Sequence, residues 1–211
     1  PATVVITPPS GRSAQTAPLL DKLQSLLRAL ERRYSRYLAD SLISTINTRA
    51  GSGDFTRLDL ESETLLEVAD QLWHSSGGLF DITSGVLRKA WRFDATHIPV
   101  DVSQLASLQD KVGWEKVERT AQGIHLPVKG MEIDLGGLVK EYAADSAVSL
   151  LRDHGVTSGL IELAGDVATI GCQPSGAPWQ VGIRAPQGGD PLGGIALSSA
   201  AAATSGNYAR T

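Results

Sequence analysis

The sequence predicts an α+β fold, with a helix-rich N-terminal half and a strand-rich C-terminal half around one long helix. Apolar residues recur at intervals of three and four through much of the first 90 residues, which is the period of helices that face a core. Beyond about residue 114 the chain turns to short apolar segments separated by glycine, proline and polar residues, which is typical of strands and turns. Helices come early and strands late, so a regular β-α-β alternation is not expected.

The N-terminal half opens with a β-branched run and continues with amphipathic helices. Pro18 suits the first turn of the longest of these helices. Gly77 and Gly78 are the expected stop signal of the next one. The predicted elements are a strand at 4–6 and helices at 18–38, at 61–74 and from a cap at Thr83 or Ser84 to Trp91.

The C-terminal half is predicted to contain short strands and one clear helix. The helix covers 138–152, and Gly155 lies where its C-terminal stop is expected. Glycine and proline connect the remaining segments. Strand-like content is found at 114–117, 123–126, 132–134, 160–163, 167–170, 179–183 and 195–197.

Composition limits the classes of function. The 211 residues are 42% hydrophobic and carry a formal net charge of -4, so a soluble globular protein without a basic nucleic-acid surface is expected. The single cysteine, Cys172, cannot form an internal disulfide, and the four histidines share no metal spacing. No apolar run approaches the roughly 18 residues of a membrane span. The chain opens without signal-peptide features, so either its native start has been removed or the protein is cytosolic.

The most informative segment is 134–140 (DLGGLVK), where a short strand runs into two glycines and then a helix. Glycines at a helix start let a ligand approach the backbone, and the free N–H groups and the helix dipole favour an anion such as a pyrophosphate. Lys140 adds a positive charge, and Asp134 could bond a ligand or orient a metal. The alternative is a tight strand-to-helix turn capped by the aspartate, and local chemistry does not decide between the two.

Together with the following Tyr142, Ala143 and Asp145, this segment resembles the D-[LF]-G-[GA]-x-x-K-G-Y-x-x-D signature of the ApbE family. Further motifs of that family occur in the family's order. They are SRY at 35–37, DSLISTIN at 40–47, GGLFDIT at 77–83, GD at 165–166, the proline- and glycine-containing stretch 174–186, and TSGNY at 204–208. The resemblance covers the chain from about Tyr34 to Arg210.

The resemblance implies an enzyme that uses FAD and Mg2+. Family members transfer FMN from FAD to a Thr or Ser hydroxyl of a partner flavoprotein through a phosphoester bond, and some hydrolyse FAD to FMN and AMP. Such phosphoryl transfer depends mostly on positioning and on neutralising charge. The alternative function is a catalytically inactive FAD-binding module, acting as a flavin carrier or as an assembly factor for a redox enzyme.

The resemblance also implies the site residues, and it assigns no catalytic side chain. Tyr37 is expected against the flavin ring and Gly137 is expected to offer its backbone carbonyl to Mg2+. The expected FAD-binding residues are Tyr37, Leu79, Phe80, Asp81, Asp134 and Lys140.

Structural alternatives exist for several of these residues. Tyr37 also fits a core position on an amphipathic helix, and the loop at 79–81 could bury Phe80 and use Asp81 as a helix cap. The pairs 165–166 and 205–206 are interpreted as turns that shape the pocket. A run of charged residues is interpreted as the solvated face of the first helix; its members are Arg28, Glu31, Arg32, Arg33 and Arg36.

The sequence departs from the family pattern at three places. Glu141 stands where the family has glycine, and Ala164 replaces another glycine. The family's later H-x-x-D-P-x-T-G and A-D-x-x-[AS]-T-[AG] segments, the second of which supplies the Asp and Thr that hold Mg2+, do not occur in these 211 residues. We therefore expect 1–211 to be a single ApbE-like domain that is incomplete at its C terminus. By resemblance the protein is expected in the periplasm or on the inner membrane, with a lipid anchor possible in a removed N terminus, and cytoplasm is the alternative.

Overall fold

The structure is a computed structural model that describes residues 2–8, 15–90 and 102–204. The chain divides into two compact units, one formed by Pro1–Ala29 with Lys140–Thr211 and the other by Leu30–Val139. We call them the first and second unit. The predicted α+β class is confirmed. The single domain over 1–211 stays a prediction.

The order of elements follows the predicted trend from helices to strands. The described residues also include the 3-10 helices Ile82–Lys89 and Trp114–Lys116. The helices and strands are β1 (Ala2–Ile6), α1 (Thr16–Tyr34), α2 (Leu42–Thr48), α3 (Leu60–Ser75), α4 (Val102–Gln109), β2 (Glu118–Thr120), β3 (Gly123–His125), α5 (Val139–Asp153), β4 (Gly159–Leu163), β5 (Asp166–Ile170), β6 (Trp179–Ile183), β7 (Gly193–Leu197) and β8 (Ala201–Ala202).

The first unit is built on an antiparallel sheet with strand order β1-β4-β5-β8. β5 is buried along its whole length, whereas β4 buries alternate residues, including Ile161 and Leu163. This period of two places one face of β4 in the core. β6 and β7 form a separate antiparallel pair whose residues are mostly exposed.

Helix α5 buries one stripe of small and branched residues. The buried positions include Ala143, Ala147 and Leu151, four residues apart, so they lie on one face of the helix. The helix ends at Asp153, and Gly155 follows with φ +82°, the left-handed conformation that glycine adopts at low cost. The predicted helix and its predicted stop are both confirmed.

Capping side chains fix the starts of α2 and α3 in the second unit. The Ser41 hydroxyl accepts the N–H of Ser44 at 3.0 Å at the start of α2. The Asp59 carboxylate accepts the N–H of Ser62 at 3.0 Å at the start of α3. Each bond satisfies a backbone donor that has no partner within its helix, so the sequence specifies where these helices begin.

Several predicted elements differ from the structure. No strand forms at 132–134, because the Asn47 side-chain amide pairs with the backbone of Ile133 in place of a neighbouring strand. Residues 114–116 form a 3-10 helix, not a strand. The cap of the Ile82–Lys89 helix is Asp81, which was the alternative expected for the loop at 79–81, and not Thr83 or Ser84. Trp91 lies outside the described residues. α2, α4, β2 and β8 had no counterpart in the prediction.

Helix α1 ends four residues earlier than predicted. It stops at Tyr34, and the Ser35 hydroxyl then accepts the N–H of Tyr37 at 3.2 Å. This local side-chain bond competes with continuation of the helix. Among the described residues, no helix combines the length and the apolar character that a membrane crossing requires.

Candidate functional site

Asp134 is held tightly at the end of the segment that precedes α5. Its N–H donates to the Ile82 carbonyl at 2.8 Å. A Cβ placed on Gly85 would lie only 2.6 Å from the Asp134 Cβ, so the backbone of the 3-10 helix approaches this residue as closely as glycine permits. The Asp134 carboxylate accepts the N–H of Gly136 at 2.9 Å, which closes a short turn.

The turn at Gly136 leads directly into α5. The N–H groups of Leu138 and Val139 donate to the Leu135 carbonyl at 2.9 and 2.8 Å, which starts the helix. A Cβ on Gly137 would lie 3.4 Å from the ring of Phe80, so Phe80 lines this turn. The structure thus brings together three of the predicted site residues, Phe80, Asp134 and Gly137, within the second unit.

Arg36 connects Asp134 to Tyr37. One guanidinium nitrogen of Arg36 donates to the Asp134 carboxylate, and another donates to the Tyr37 hydroxyl at 2.8 Å. The guanidinium carbon lies 4.9 Å from the centre of the Tyr37 ring. Two interpretations are therefore wrong: Tyr37 is 78% exposed and not a core residue, and Arg36 is not on a solvated helix face but in an ion pair with Asp134.

The residues of the loop at 79–81 differ in their exposure and in their hydrogen bonds. Leu79 is 92% exposed. Both carboxylate oxygens of Asp81 are engaged in local bonds, one to the N–H and hydroxyl of Thr83 at 2.7 and 2.6 Å, the other to the N–H of Trp114 at 3.0 Å. Asp81 therefore caps the Ile82–Lys89 helix and binds the backbone of Trp114. The role of Leu79, Phe80 and Asp81 at a flavin stays a prediction.

Lys140 lies in the first unit, where its ammonium pairs with Asp166 at 2.6 Å. Asp166 is 5% exposed, and its second oxygen accepts the N–H of Thr204 at 2.9 Å. Burial alone would raise the pKa of the Asp166 carboxyl, but Lys140 and the Thr204 N–H outweigh burial and hold that pKa below its usual value. Asp166 thus fixes the charged end of Lys140.

Glu141 follows Lys140 directly and stands where the family pattern has glycine. One of its carboxylate oxygens is buried and accepts no hydrogen bond in the part of the chain that the structure describes. Burial raises the pKa of the Glu141 carboxyl, Asp166 adds to the rise, and the Lys140 ammonium 3.9 Å away opposes it only in part. Glu141 is therefore an acid held in a setting that disfavours its charged form.

Sequence reasoning missed the contacts of Arg36 and Asp166. Gly165 does form the predicted turn, with φ +101°. The next residue, Asp166, forms an ion pair with Lys140 that the turn prediction did not include. The available signal was that Arg36 and Asp166 lie inside two of the motifs, at 35–37 and 165–166. The predicted turn at 205–206 lies outside the described residues.

The predicted Mg2+ position offers few ligands. Mg2+ requires about six oxygens in near-octahedral geometry. Gly137 would supply one carbonyl, and the nearby Asp134 carboxylate is already shared between Arg36 and Gly136. Within residues 2–8, 15–90 and 102–204, no group of three His, Cys, Asp or Glu side chains could hold a metal ion. These residues do not by themselves fit a complete Mg2+ shell.

Comparisons with known proteins agree on one family. The model of the ApbE family matches residues 2–211. A protein named FAD:protein FMN transferase from Treponema pallidum is 29% identical over 217 residues, which cover 94% of this chain and 59% of that protein. The protein of the same name from Escherichia coli K12 is 24% identical over 179 residues, which cover 82% of this chain and 51% of that one. The chain thus spans between half and three fifths of the length of these two relatives.

Solved structures show the same fold. The ApbE protein of Thermotoga maritima has a TM-score of 0.84 at 25% identity, over 97% of this chain and 67% of that one. The flavin transferase ApbE of Vibrio cholerae has a TM-score of 0.85 at 22% identity, over 99% of this chain and 73% of that one.

Proposed function

The chain belongs to the ApbE family, and from that premise we propose that the whole protein transfers FMN from FAD to a Thr or Ser hydroxyl of a partner flavoprotein. The observation that carries the proposal is that its relatives over most of the chain are named FAD:protein FMN transferase. The contacts within the second unit support it, since motifs that are far apart in the sequence meet at Asp134.

We propose that the turn at Gly136 and Gly137 and the start of α5 bind the pyrophosphate of FAD. A helix start presents N–H groups and the positive end of the helix dipole, both of which favour an anion. Lys140, held by Asp166, adds a positive charge in the first turn of the same helix. The exposed ring of Tyr37 offers an aromatic face to the flavin.

The transfer breaks one phosphoanhydride bond and forms one phosphoester bond. The acceptor hydroxyl oxygen attacks the phosphorus of the FMN half, AMP leaves with the bridging oxygen, and the hydroxyl proton is released. A positive charge at Lys140 would offset the negative charge on the phosphates. We also propose that activity requires Mg2+, as the resemblance implies.

The test is an incubation of the purified protein with FAD and an acceptor peptide that contains a single Thr, with Mg2+ or with EDTA. Mass spectrometry of the peptide detects the FMN adduct, and chromatography measures AMP. An adduct with equal AMP, lost in EDTA, is the expected result. FMN and AMP without an adduct would point to FAD hydrolysis. FAD binding without any AMP would favour the alternative of a flavin-binding module, and no FAD binding at all would refute both.

We propose a periplasmic location for the whole protein, together with an acceptor flavoprotein subunit in the same compartment. The basis is the family resemblance alone. Fractionation of cells that express the complete gene, followed by immunodetection, tests it, and recovery of the protein only with the cytoplasm would refute it.

A further inference from the structure

Three hydrogen bonds join the exposed Tyr37 ring to the backbone at the entrance of α5. The Arg36 guanidinium donates to the Tyr37 hydroxyl at 2.8 Å and to the Asp134 carboxylate, and that carboxylate also accepts the Gly136 N–H at 2.9 Å. We propose that Arg36 is the positioning residue of the flavin site, which orients Tyr37 and neutralises Asp134. The inference rests on the proposed function, because it concerns how the same site takes FAD.

Charge compensation is the first part of the argument. The Asp134 side chain is 27% exposed and that of Arg36 is 21% exposed, so water solvates neither charge fully. The other arginines with ion pairs in the described part of the second unit use different carboxylates: Arg33 pairs with Asp59, Arg88 with Glu132, and Arg119 with Glu67 and Asp70. Arg36 is therefore the cation that balances Asp134.

This balance matters for an anionic ligand. Asp134 accepts the Gly136 N–H, so its carboxylate lies directly beside the turn that is proposed to bind a pyrophosphate. Without Arg36 the carboxylate would repel the phosphates at short range, and partial burial would strengthen the repulsion. With Arg36 in place the pair is neutral, and the positive end of the helix dipole acts on the ligand unopposed.

Orientation of Tyr37 is the second part. A ring that is 78% exposed has little packing to select one rotamer. The Arg36 guanidinium supplies two constraints, the bond to the hydroxyl and its position 4.9 Å from the ring centre. Arg36 thereby presents the aromatic face in one orientation before the ligand arrives, which lowers the entropic cost of binding.

The experiment compares Arg36→Gln with Arg33→Gln in the purified protein. Arg33 is a matched control, because it is also a partly exposed arginine near the end of α1 and has an ion pair of its own, with Asp59 at 2.5 Å. Quenching of flavin fluorescence gives the Kd for FAD, thermal melts verify folding, and AMP release gives KM and kcat. We expect R36Q to raise Kd and KM about tenfold with little change in kcat, the size expected for a lost charged hydrogen bond. R33Q should stay within about twofold of the parent.

A double-mutant cycle with Asp134→Asn separates positioning from a general structural role. If Arg36 acts in part through Asp134, R36Q should raise the Kd for FAD by a smaller factor in the D134N background than in the parent. If R36Q does not fold, R36K and R33K replace the two variants, and R36K should still raise Kd several-fold, because an ammonium cannot hold both partners in the same geometry.

The measurements distinguish failure of the proposed function from failure of the proposed role of Arg36. A parent protein that does not bind FAD overturns the proposed function and this inference with it. A parent that binds FAD, while R36Q and R33Q bind equally well or the R36Q and D134N effects simply add, overturns the role of Arg36 alone.

Discussion

Replacing Asp166 with asparagine tests the ion pair that fixes Lys140. Asp166 is almost fully buried, with Lys140 at 2.6 Å from one oxygen and the Thr204 N–H at 2.9 Å from the other. Asparagine keeps an acceptor for Thr204 but removes the charge. The change therefore isolates the electrostatic contribution of the pair from the hydrogen bond on its other side.

The magnitude follows from burial. Removing one partner of a fully buried ion pair costs about 3–5 kcal/mol. The Lys140 side chain is 31% exposed and Glu141 lies 3.9 Å from its ammonium, so water and Glu141 compensate part of the loss. We expect D166N to lower the free energy of unfolding by about 1–2 kcal/mol, and D166A by about 1 kcal/mol more because the Thr204 bond is lost too. For a chain of this size, D166N should lower Tm by about 2–8 °C.

The sign of the pH dependence is also fixed. The pKa of Asp166 is lower in the folded protein than its ordinary value of 3.8, so the folded state favours the ionised form. Its stabilisation is therefore complete above pH 3.8 and is lost as the pH falls through the folded pKa. The difference between the parent and D166N should be full at pH 7 and should shrink in acid.

Urea unfolding followed by circular dichroism at several pH values measures these differences. Asp153→Asn is the control, since Asp153 is an exposed acid at the end of α5, and its change should stay within about 0.5 kcal/mol. The reasoning is refuted if D166N unfolds at the same urea concentration as the parent at pH 7, or if the D166N deficit grows in acid.

The remaining predictions concern one titrating group, one packing contact and one pair of hydrogen bonds. Glu141→Gln should stabilise the protein at pH 7 by up to about 1 kcal/mol, because the pKa of Glu141 is raised in the folded state and its ionisation is disfavoured there. Thermal melts should show this gain fading below pH 4.5, where the carboxyl is protonated in both states. Gly85→Ala should lower the free energy of unfolding in urea by about 1–3 kcal/mol, because the new Cβ would lie 2.6 Å from the Cβ of Asp134. An unchanged free energy of unfolding would mean that the structure relaxes to accommodate the methyl group. Asn47→Ala should lower the free energy of unfolding by about 2–3 kcal/mol in the same assay. It leaves the buried N–H and C=O of Ile133 without their hydrogen bonds at 2.7 and 3.0 Å. A loss below about 0.5 kcal/mol would show that water replaces these bonds.

Local signals in the sequence were sufficient for most elements. The spacing of apolar residues located α5 and the strands β4 to β7 to within a few residues. The errors occurred where side chains decide the backbone conformation. Asn47 replaces a strand partner for Ile133, and the Ser35 hydroxyl helps to end α1 before Tyr37. Bonds of this kind leave no periodic trace, so a pattern of hydrophobicity could not predict them.

The sequence by itself determined the family, the α+β class and the glycine-rich entrance to α5, because these depend on residue order and on short-range periodicity. Only the tertiary structure decided which charges meet. Arg36 and Asp134 are 98 positions apart, and Asp166 reaches back to Lys140. A charged side chain finds its partner according to burial and geometry once the chain is folded, and composition and spacing cannot specify that choice.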